Sequence, residues 1–126
     1  MSVGILIISH PGVGSAILHA ATRILGERTL PTKCLEVPPD SALGALKFSA
    51  QEMLKELDSG DGVIILTDIF GATPNNMARD INRENTCVIS GLNLPMLIRV
   101  YNYPTESLDK LVNKAVEGGK LSIQAS

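Results

Sequence analysis

Four short apolar runs that alternate with helical patterns constrain the fold of this 126-residue chain more than any other feature. The runs lie at about 3–9, 33–37, 62–67 and 86–91. Each is rich in Val, Ile or Leu rather than strictly alternating, which is typical of strands covered on both faces. Amphipathic helical patterns lie at about 13–26, 41–57, 74–84, 95–102 and 107–117. This alternation predicts a flavodoxin-like, three-layer α/β/α fold with a mostly parallel sheet, most simply in the strand order 2-1-3-4.

Glycines and prolines mark the expected helix ends. Gly26 is placed to end the first helix, and Gly118-Gly119 to end the last. A proline lies near the expected start of each helix that follows a strand, and it fits the first helical turn, where its missing N–H costs nothing. The expected capping side chains are those of Asp40, Thr73 and Asn93. The tail from Lys120 to Gln124 alternates polar and apolar residues, so we expect a short edge strand or a frayed terminus.

Length and composition exclude several classes of function. A chain of this length predicts one domain over residues 1–126, with a core of aliphatic side chains because it has two Phe, two Tyr and no Trp. The formal net charge is −2 and basic residues form no run, so we expect no nucleic-acid partner. The four aromatic residues are also not interleaved with basic ones, as a single-strand binding surface would require.

The apolar runs and the cysteines indicate a reducing, aqueous compartment. The runs are too short to span a bilayer, and the N-terminus lacks the features of a signal peptide, so we expect a cytoplasmic protein with no membrane insertion. Cys34 and Cys87 each lie in a predicted strand and not in a CxxC pair. This placement favours buried, reduced thiols over a disulfide or a metal site.

Two polar residues follow the first and third predicted strands directly, namely His10 and Asp68. With the strand order 2-1-3-4 these strands are neighbours at the topological switch point, where ligands bind in open α/β sheets. A carboxylate that accepts the N–H of one imidazole nitrogen leaves the other with a free lone pair, as a nucleophile needs. The sequence therefore predicts a nucleophilic His10 whose ring nitrogen can take a phosphoryl group, with Asp68 fixing its tautomer.

The segment after Asp68 predicts a phosphoryl-binding turn. It runs Ile69-Phe70-Gly71-Ala72-Thr73-Pro74 and combines a permissive glycine, a hydroxyl and a proline at a helix start. A helix N-terminus presents unpaired N–H groups and the positive end of its dipole. We therefore expect the amides of Phe70, Gly71, Ala72 and Thr73, with the Thr73 hydroxyl, to hold phosphoryl oxygens.

A dinucleotide site is the main alternative that the sequence offers. Gly12 and Gly14 follow the first strand, and Glu36 ends the second about twenty residues on, as the dinucleotide fingerprint asks. The pattern fails at its third glycine, where Ile17 stands, and no GK[ST] follows. His19, in the first helix, has no partner at metal-ligand spacing. We therefore expect neither a nucleotide cofactor nor a metal.

Three motifs of this sequence, taken together, resemble those of one protein family. They are Ile7 to Gly12, Thr67 to Asn75 and Ser90 to Leu97, and they occur in order over essentially the whole chain. The sequence resembles the IIA component of the mannose-type bacterial sugar phosphotransferase system. That resemblance implies a phosphotransferase in which His10 accepts a phosphoryl group from the phosphocarrier HPr and passes it to a IIB component, with Asp68 bonding the ring.

The resemblance implies further roles as well. It gives Thr73 and its turn a phosphate-side role, and a site-shaping role to Pro11, Gly12, Asn93 and Pro95. It also implies a homodimer in which the C-terminal strand crosses to the other subunit. Ala72 stands where many members have a second glycine, and Phe70 where some have tryptophan. The sequence ends at Ser126, so we expect a IIA domain without an attached IIB domain or linker.

Two other readings share the chemistry at His10. One is a regulatory phosphorelay protein whose phosphorylation state is sensed by a partner. The other is a IIA-like domain that serves a phosphotransferase-dependent dihydroxyacetone kinase, although the motifs look closer to the mannose type. The sequence does not identify a sugar, because the IIA components of this family do not touch sugar.

Overall fold

A computed structural model describes residues 2–126. The elements in chain order are β1 (Gly4–Ser9), α1 (Val13–Leu25), β2 (Thr32–Glu36), α2 (Leu43–Leu57), β3 (Val63–Thr67), α3 (Thr73–Ile81), β4 (Thr86–Ser90), α4 (Leu94–Tyr101) and α5 (Leu108–Leu121). The four strands form one parallel sheet in the order β2-β1-β3-β4. The predicted α/β class and strand order are confirmed.

Alternate residues of the central strands feed two separate cores. Ile5 and Ile7 of β1 pack with side chains of α1, α4 and α5 on one face of the sheet. Leu6 and Ile8 pack with side chains of α2 and α3 on the other face. Because both faces of β1 and β3 are covered, all their residues are buried, which explains why these strands read as continuous apolar runs. The molecule therefore has the predicted three layers.

The parallel register aligns the carboxyl ends of all four strands. Ser9 pairs with Glu36 of β2, Ile8 pairs with Thr67 of β3, and Thr67 pairs with Ser90 of β4. The residues that follow each strand therefore emerge at one edge of the sheet. That edge is where the free N–H groups of the next helices are directed.

The end of the last helix differs from the prediction. Gly118 and Gly119 do not end α5, which continues to Leu121, and residues 123–126 have no regular secondary structure. A Cβ at Gly118 would lie 2.7 Å from Arg99 Cβ, and one at Gly119 would lie 3.0 Å from Met96 Cε. The two glycines therefore let α5 pack closely on α4. The expected strand from Lys120 to Gln124 is thus absent from the described part of this chain, and its exchange with a second copy stays a prediction.

The predicted caps are correct at one helix of three. Asn93 caps α4, because its Oδ1 accepts the Met96 N–H at 2.9 Å. Asp40 does not cap α2, which begins after Ala42, because Asp40 takes a left-handed conformation in the preceding loop. Thr73 is already the first residue of α3, and the extended residue before it is Ala72. Gly26 ends α1 with a φ of 84°, as predicted.

The two cysteines are half-buried free thiols. Burial, with the nearby charge of Glu36 as a second cause, raises the pKa of the Cys34 thiol to about 11. This thiol is therefore protonated at neutral pH and unreactive. No helix among residues 2–126 combines the length and the apolar character needed to cross a bilayer.

Candidate functional site

His10 and Asp68 meet at the ends of the two central strands. Oδ2 of Asp68 lies 2.8 Å from His10 Nδ1 and also accepts the His10 backbone N–H at 3.0 Å. The Asp68 side chain is 9% exposed, whereas that of His10 is 45% exposed. The carboxylate is thus shielded beneath a ring that solvent and a partner can reach.

The carboxylate assigns the two ring nitrogens different tasks. Partial burial acts to raise the pKa of Asp68, but the hydrogen bonds from the His10 backbone and ring outweigh it and leave the pKa below its ordinary value. An ionised carboxylate only accepts hydrogen bonds, so Nδ1 carries the proton that faces it. In the neutral ring Nε2 then holds a free lone pair. The arrangement can therefore present Nε2 as a nucleophile and stabilise the imidazolium that forms when it reacts.

Buried Ser9 fixes the backbone of the turn that carries His10. Its hydroxyl donates to the His10 carbonyl at 2.8 Å and accepts the Gly14 N–H at 2.8 Å. Gly12 makes the turn into α1 with a φ of +85°, a conformation that glycine adopts without strain. Pro11 and Gly12 therefore shape the turn that leads from His10 into α1.

A carboxylate already occupies the N-terminus of α1. Oε2 of Glu36 accepts the Gly12 N–H at 3.0 Å, the Ser15 hydroxyl at 2.7 Å and the Ser15 N–H at 3.4 Å. The Ser15 hydroxyl bond is the largest cause of a lowered pKa at Glu36. In a dinucleotide-binding fold the pyrophosphate would sit at this helix end. Glu36 fills that position, which agrees with the sequence argument against a dinucleotide site.

The turn before α3 is exposed at the same edge of the sheet. Gly71 has a φ of +83°, and the Phe70 side chain is 72% exposed. The residue before the helix, Ala72, has no side-chain acceptor, and Pro74 in the first turn has no N–H. The first amides of α3 therefore lack the side-chain cap that α4 has.

The buried start of α3 is tied to the strand end that precedes Asp68. Asn75 is buried, and its Oδ1 accepts the Thr67 hydroxyl at 3.0 Å. Among residues 2–126, its Nδ2 has no hydrogen-bond partner. Asn75 belongs to the second sequence motif, but the sequence predicted no role for it. The contact holds the two ends of the Asp68–Ala72 turn together.

A cleft of about 330 Å³ lies beside His10. His10, Thr73 and Pro74 line it together with the loop from Val37 to Leu43. Sequence reasoning gave the prolines of that loop only a role in starting α2. The position of this loop directly after β2, a neighbour of β1, could have predicted that it lines the site, because loops at the carboxyl ends of neighbouring strands converge there.

The turn after β4 touches the site from the other side. Leu92 donates its N–H to the Thr67 carbonyl at 2.9 Å, next to Asp68. Asn93 points elsewhere, because its Nδ2 donates to the Gly119 carbonyl at 3.2 Å and so joins α4 to α5. Pro95 lies exposed in the first turn of α4. Neither Asn93 nor Pro95 lines the cleft beside His10.

Comparisons with known proteins connect this geometry to a family. Among solved structures, the mannose/sorbose specific IIA subunit of the phosphotransferase system from Enterococcus faecalis has the same fold, with a TM-score of 0.87 at 24% identity over 100% of this chain and 96% of that one. The PTS IIA protein associated with the fucose utilization operon from Streptococcus pneumoniae has a TM-score of 0.78 at 28% identity, over 99% and 96% of the two chains.

Sequence comparison identifies the family itself. The PTS system mannose-specific EIIAB component of Escherichia coli (strain K12) is 34% identical over 130 residues, which cover 99% of this chain and 40% of that protein. Nearly the whole chain aligns with these relatives, but it spans only about 40% of their length. A sequence profile of the family described as "PTS system fructose IIA component" matches residues 4–116. Because that match spans most of the sequence, the chain belongs to this family, the mannose-type IIA components of the phosphotransferase system.

Proposed function

We propose that His10 accepts a phosphoryl group from phospho-HPr and passes it to a IIB component. The observation that carries this proposal is the 2.8 Å contact between His10 Nδ1 and Asp68 Oδ2, which leaves Nε2 free on an exposed ring. Nε2 attacks phosphorus, a phosphorus–nitrogen bond forms, and the bond between phosphorus and the donor breaks. The return step to the acceptor regenerates the neutral ring.

Asp68 supports both directions of this transfer. The ring becomes positively charged as Nε2 bonds to phosphorus, while its Nδ1 proton stays hydrogen-bonded to the carboxylate. A charge-assisted hydrogen bond of this kind contributes about 1.5–3 kcal/mol. Because the Nδ1 proton stays on the ring, this contact stabilises the charged ring without moving a proton.

The start of α3 supports binding of the phosphoryl oxygens. Thr73 lines the same cleft as His10, and its hydroxyl and the uncapped amides of this turn are hydrogen-bond donors. The first N–H groups of a helix have no intrahelical acceptor, and the helix dipole favours an anion there. The proposed donors to the phosphoryl group are the amide of Thr73, the first residue of α3, and those of Phe70, Gly71 and Ala72 in the turn before it.

Intact-mass analysis tests the proposal directly. Incubation with enzyme I, HPr and phosphoenolpyruvate should add one acid-labile phosphoryl group to the wild-type protein. The adduct should disappear in His10→Ala and persist in His19→Ala, which removes the other histidine of the chain. A wild type that takes up no phosphoryl group, or a His10→Ala variant that takes it up normally, contradicts the proposal.

The destination of the group separates transport from regulation. Mixing the purified phosphoprotein with its cognate IIB should transfer the label to IIB within the mixing time of a quench experiment. Retention of the label on His10 in the presence of IIB would instead favour the regulatory reading. Transfer only to a dihydroxyacetone kinase subunit would favour the third reading.

We further propose that the chain forms a homodimer through its C-terminal tail. β4 lies at an edge of the sheet, and Ile123 is 79% exposed beside a groove lined by Ile89, Met96 and Val116. Sedimentation equilibrium should show a dimer that Ile123→Asp shifts toward monomer. Ile24→Asp, at an exposed apolar position of α1, is the control and should leave the dimer intact. A monomeric wild type contradicts this part of the proposal.

A further inference from the structure

All four N–H groups at the start of α1 have acceptors inside the protein. Val13 donates to the His10 carbonyl at 3.3 Å, and Gly14 donates to the Ser9 hydroxyl. Gly12 and Ser15 both donate to Glu36, whose Oε2 also accepts the Ser15 hydroxyl. This helix end therefore already holds an anion, and that anion belongs to the chain itself.

The two helix starts nearest His10 are thus different in kind. α1 begins at Val13, directly after its cap Gly12, and the Glu36 carboxylate accepts the Gly12 and Ser15 N–H groups. α3 begins across the cleft at Thr73, and its preceding residue offers no side-chain acceptor. Without Glu36, both helix N-termini near His10 would offer amides to a phosphoryl group. The resident carboxylate leaves it one.

We propose that Glu36 is a positioning residue for His10: it closes the N-terminus of α1 to anions and fixes the His10–Gly12 turn so that the phosphoryl group faces α3. This inference rests on the proposed phosphoryl transfer at His10. Glu36 does not touch the reacting atoms in this arrangement. It acts through the Gly12 and Ser15 amides and through the charge that it places at this helix end.

The sheet makes Glu36 a firm support for that turn. Glu36 is the last residue of β2 and pairs in register with Ser9, the residue before His10. The next residue, Val37, donates its N–H to the Ser9 carbonyl at 2.9 Å. The carboxylate thus joins the end of one strand to the turn that leaves its neighbour. Removing it should free Gly12, whose left-handed φ of +85° ends the turn.

The test compares Glu36→Ala with Glu36→Gln, Ser15→Ala and the control Glu84→Ala, which removes an exposed glutamate in the turn before β4. Amide NMR spectra are recorded during titration with inorganic phosphate. The maximal rate of phosphorylation by phospho-HPr and the half-saturating HPr concentration are measured by rapid quench, at a temperature where circular dichroism shows every variant folded.

In Glu36→Ala, phosphate should shift the Gly12 and Ser15 amides, which do not respond in the wild type or in Glu84→Ala. The maximal phosphorylation rate should fall by about tenfold with the half-saturating HPr concentration unchanged, because the ring is misplaced rather than the docking surface lost. Glu36→Gln should restore most of the rate, since its amide oxygen can accept the same N–H groups. Ser15→Ala, which removes the 2.7 Å contact, should be intermediate and serves if Glu36→Ala does not fold.

The inference is overturned if the Gly12 and Ser15 amides of Glu36→Ala ignore phosphate, or if that variant is phosphorylated at the wild-type rate. If Glu36→Ala does not fold, a wild-type rate in Ser15→Ala has the same meaning. Failure of the proposed function is a separate result, because the wild-type protein itself would then take up no phosphoryl group. The phosphate titration reports on Glu36 in either case.

Discussion

One carboxylate oxygen of Asp68, Oδ2, accepts hydrogen bonds from both the backbone N–H and the ring Nδ1 of His10. The main chain and the side chain of the histidine are therefore held by the same oxygen atom. Rotating the ring away would break one bond while the backbone bond holds the residue in place. This geometry presets the ring orientation that the proposed transfer through Nε2 requires.

Asp68→Asn should lower the rate of phosphorylation of His10 by about tenfold to a hundredfold. The physical reason is the loss of a charge-assisted hydrogen bond worth about 1.5–3 kcal/mol, of which each 1.4 kcal/mol is a factor of ten in rate. Rapid-quench kinetics with phospho-HPr measures the rate, and ring ¹⁵N shifts should show more of the tautomer protonated at Nε2. Asp80→Asn, an exposed change on α3, is the control. An unchanged rate in Asp68→Asn would remove Asp68 from the mechanism.

The stability that Asp68 contributes should depend on pH in a defined direction. Its pKa in the folded protein lies below the ordinary value of 3.8, so the contribution is fully present above that value and is lost as the pH falls through the lowered pKa. Urea unfolding of the wild type and Asp68→Asn between pH 3 and 7, at about one-unit steps, measures the difference in unfolding free energy. The gap should be constant at neutral pH and narrow below about pH 4. A gap that widens as the pH falls from 4 to 3 would contradict the direction of this shift.

Gly14→Ala and Gly44→Ala should change stability in opposite directions, although both are glycine-to-alanine changes in helices. A Cβ at Gly14 would lie 2.6 Å from Ile7 Cγ2 and 2.7 Å from the Ser9 hydroxyl, so we expect a loss of about 1–3 kcal/mol. A Cβ at Gly44 meets no described atom within 4 Å, so we expect a gain of about 0.5–1 kcal/mol from helix propensity. Urea unfolding measures both. Equal effects would contradict the packing at the start of α1.

Phe70→Ala should weaken recognition of HPr without destabilising the protein. The side chain is 72% exposed in the turn between Asp68 and α3, and its loss should change the unfolding free energy by less than about 0.5 kcal/mol. A large exposed aromatic residue two positions after Asp68 is expected to bind a protein partner, so the half-saturating phospho-HPr concentration should rise by about tenfold.

Phe48→Ala is the matched control for that change. Phe48 is also exposed, at 62%, but it lies on α2 in a groove with Arg83 and away from the cleft that His10 lines. Its removal should leave the half-saturating concentration unchanged. If both variants change the half-saturating concentration equally, Phe70 has no specific role in binding HPr.

The sequence by itself determined the layers and the central pair of the site. Apolar runs with no alternation require cover on both faces, and the helical patterns between them supply it, so the layers and the ends of β1 and β3 followed from local patterns. The strand order 2-1-3-4 was the simplest topology for that alternation. Because His10 and Asp68 directly follow those neighbouring strands, their contact needed no knowledge of loop conformation. The motifs around them also sufficed to suggest the family.

Only the tertiary structure decided what the glycines and Glu36 do. Gly118 and Gly119 resemble a helix end in sequence, but the surface of α4 makes them a close helix contact, and that surface is distant along the chain. Glu36 resembles a ribose-binding residue by its spacing from Gly12, yet the register of β2 against β1 places it at the N-terminus of α1. Local periodicity carries no information about which residues of different elements meet. That information arises when the sheet fixes their register.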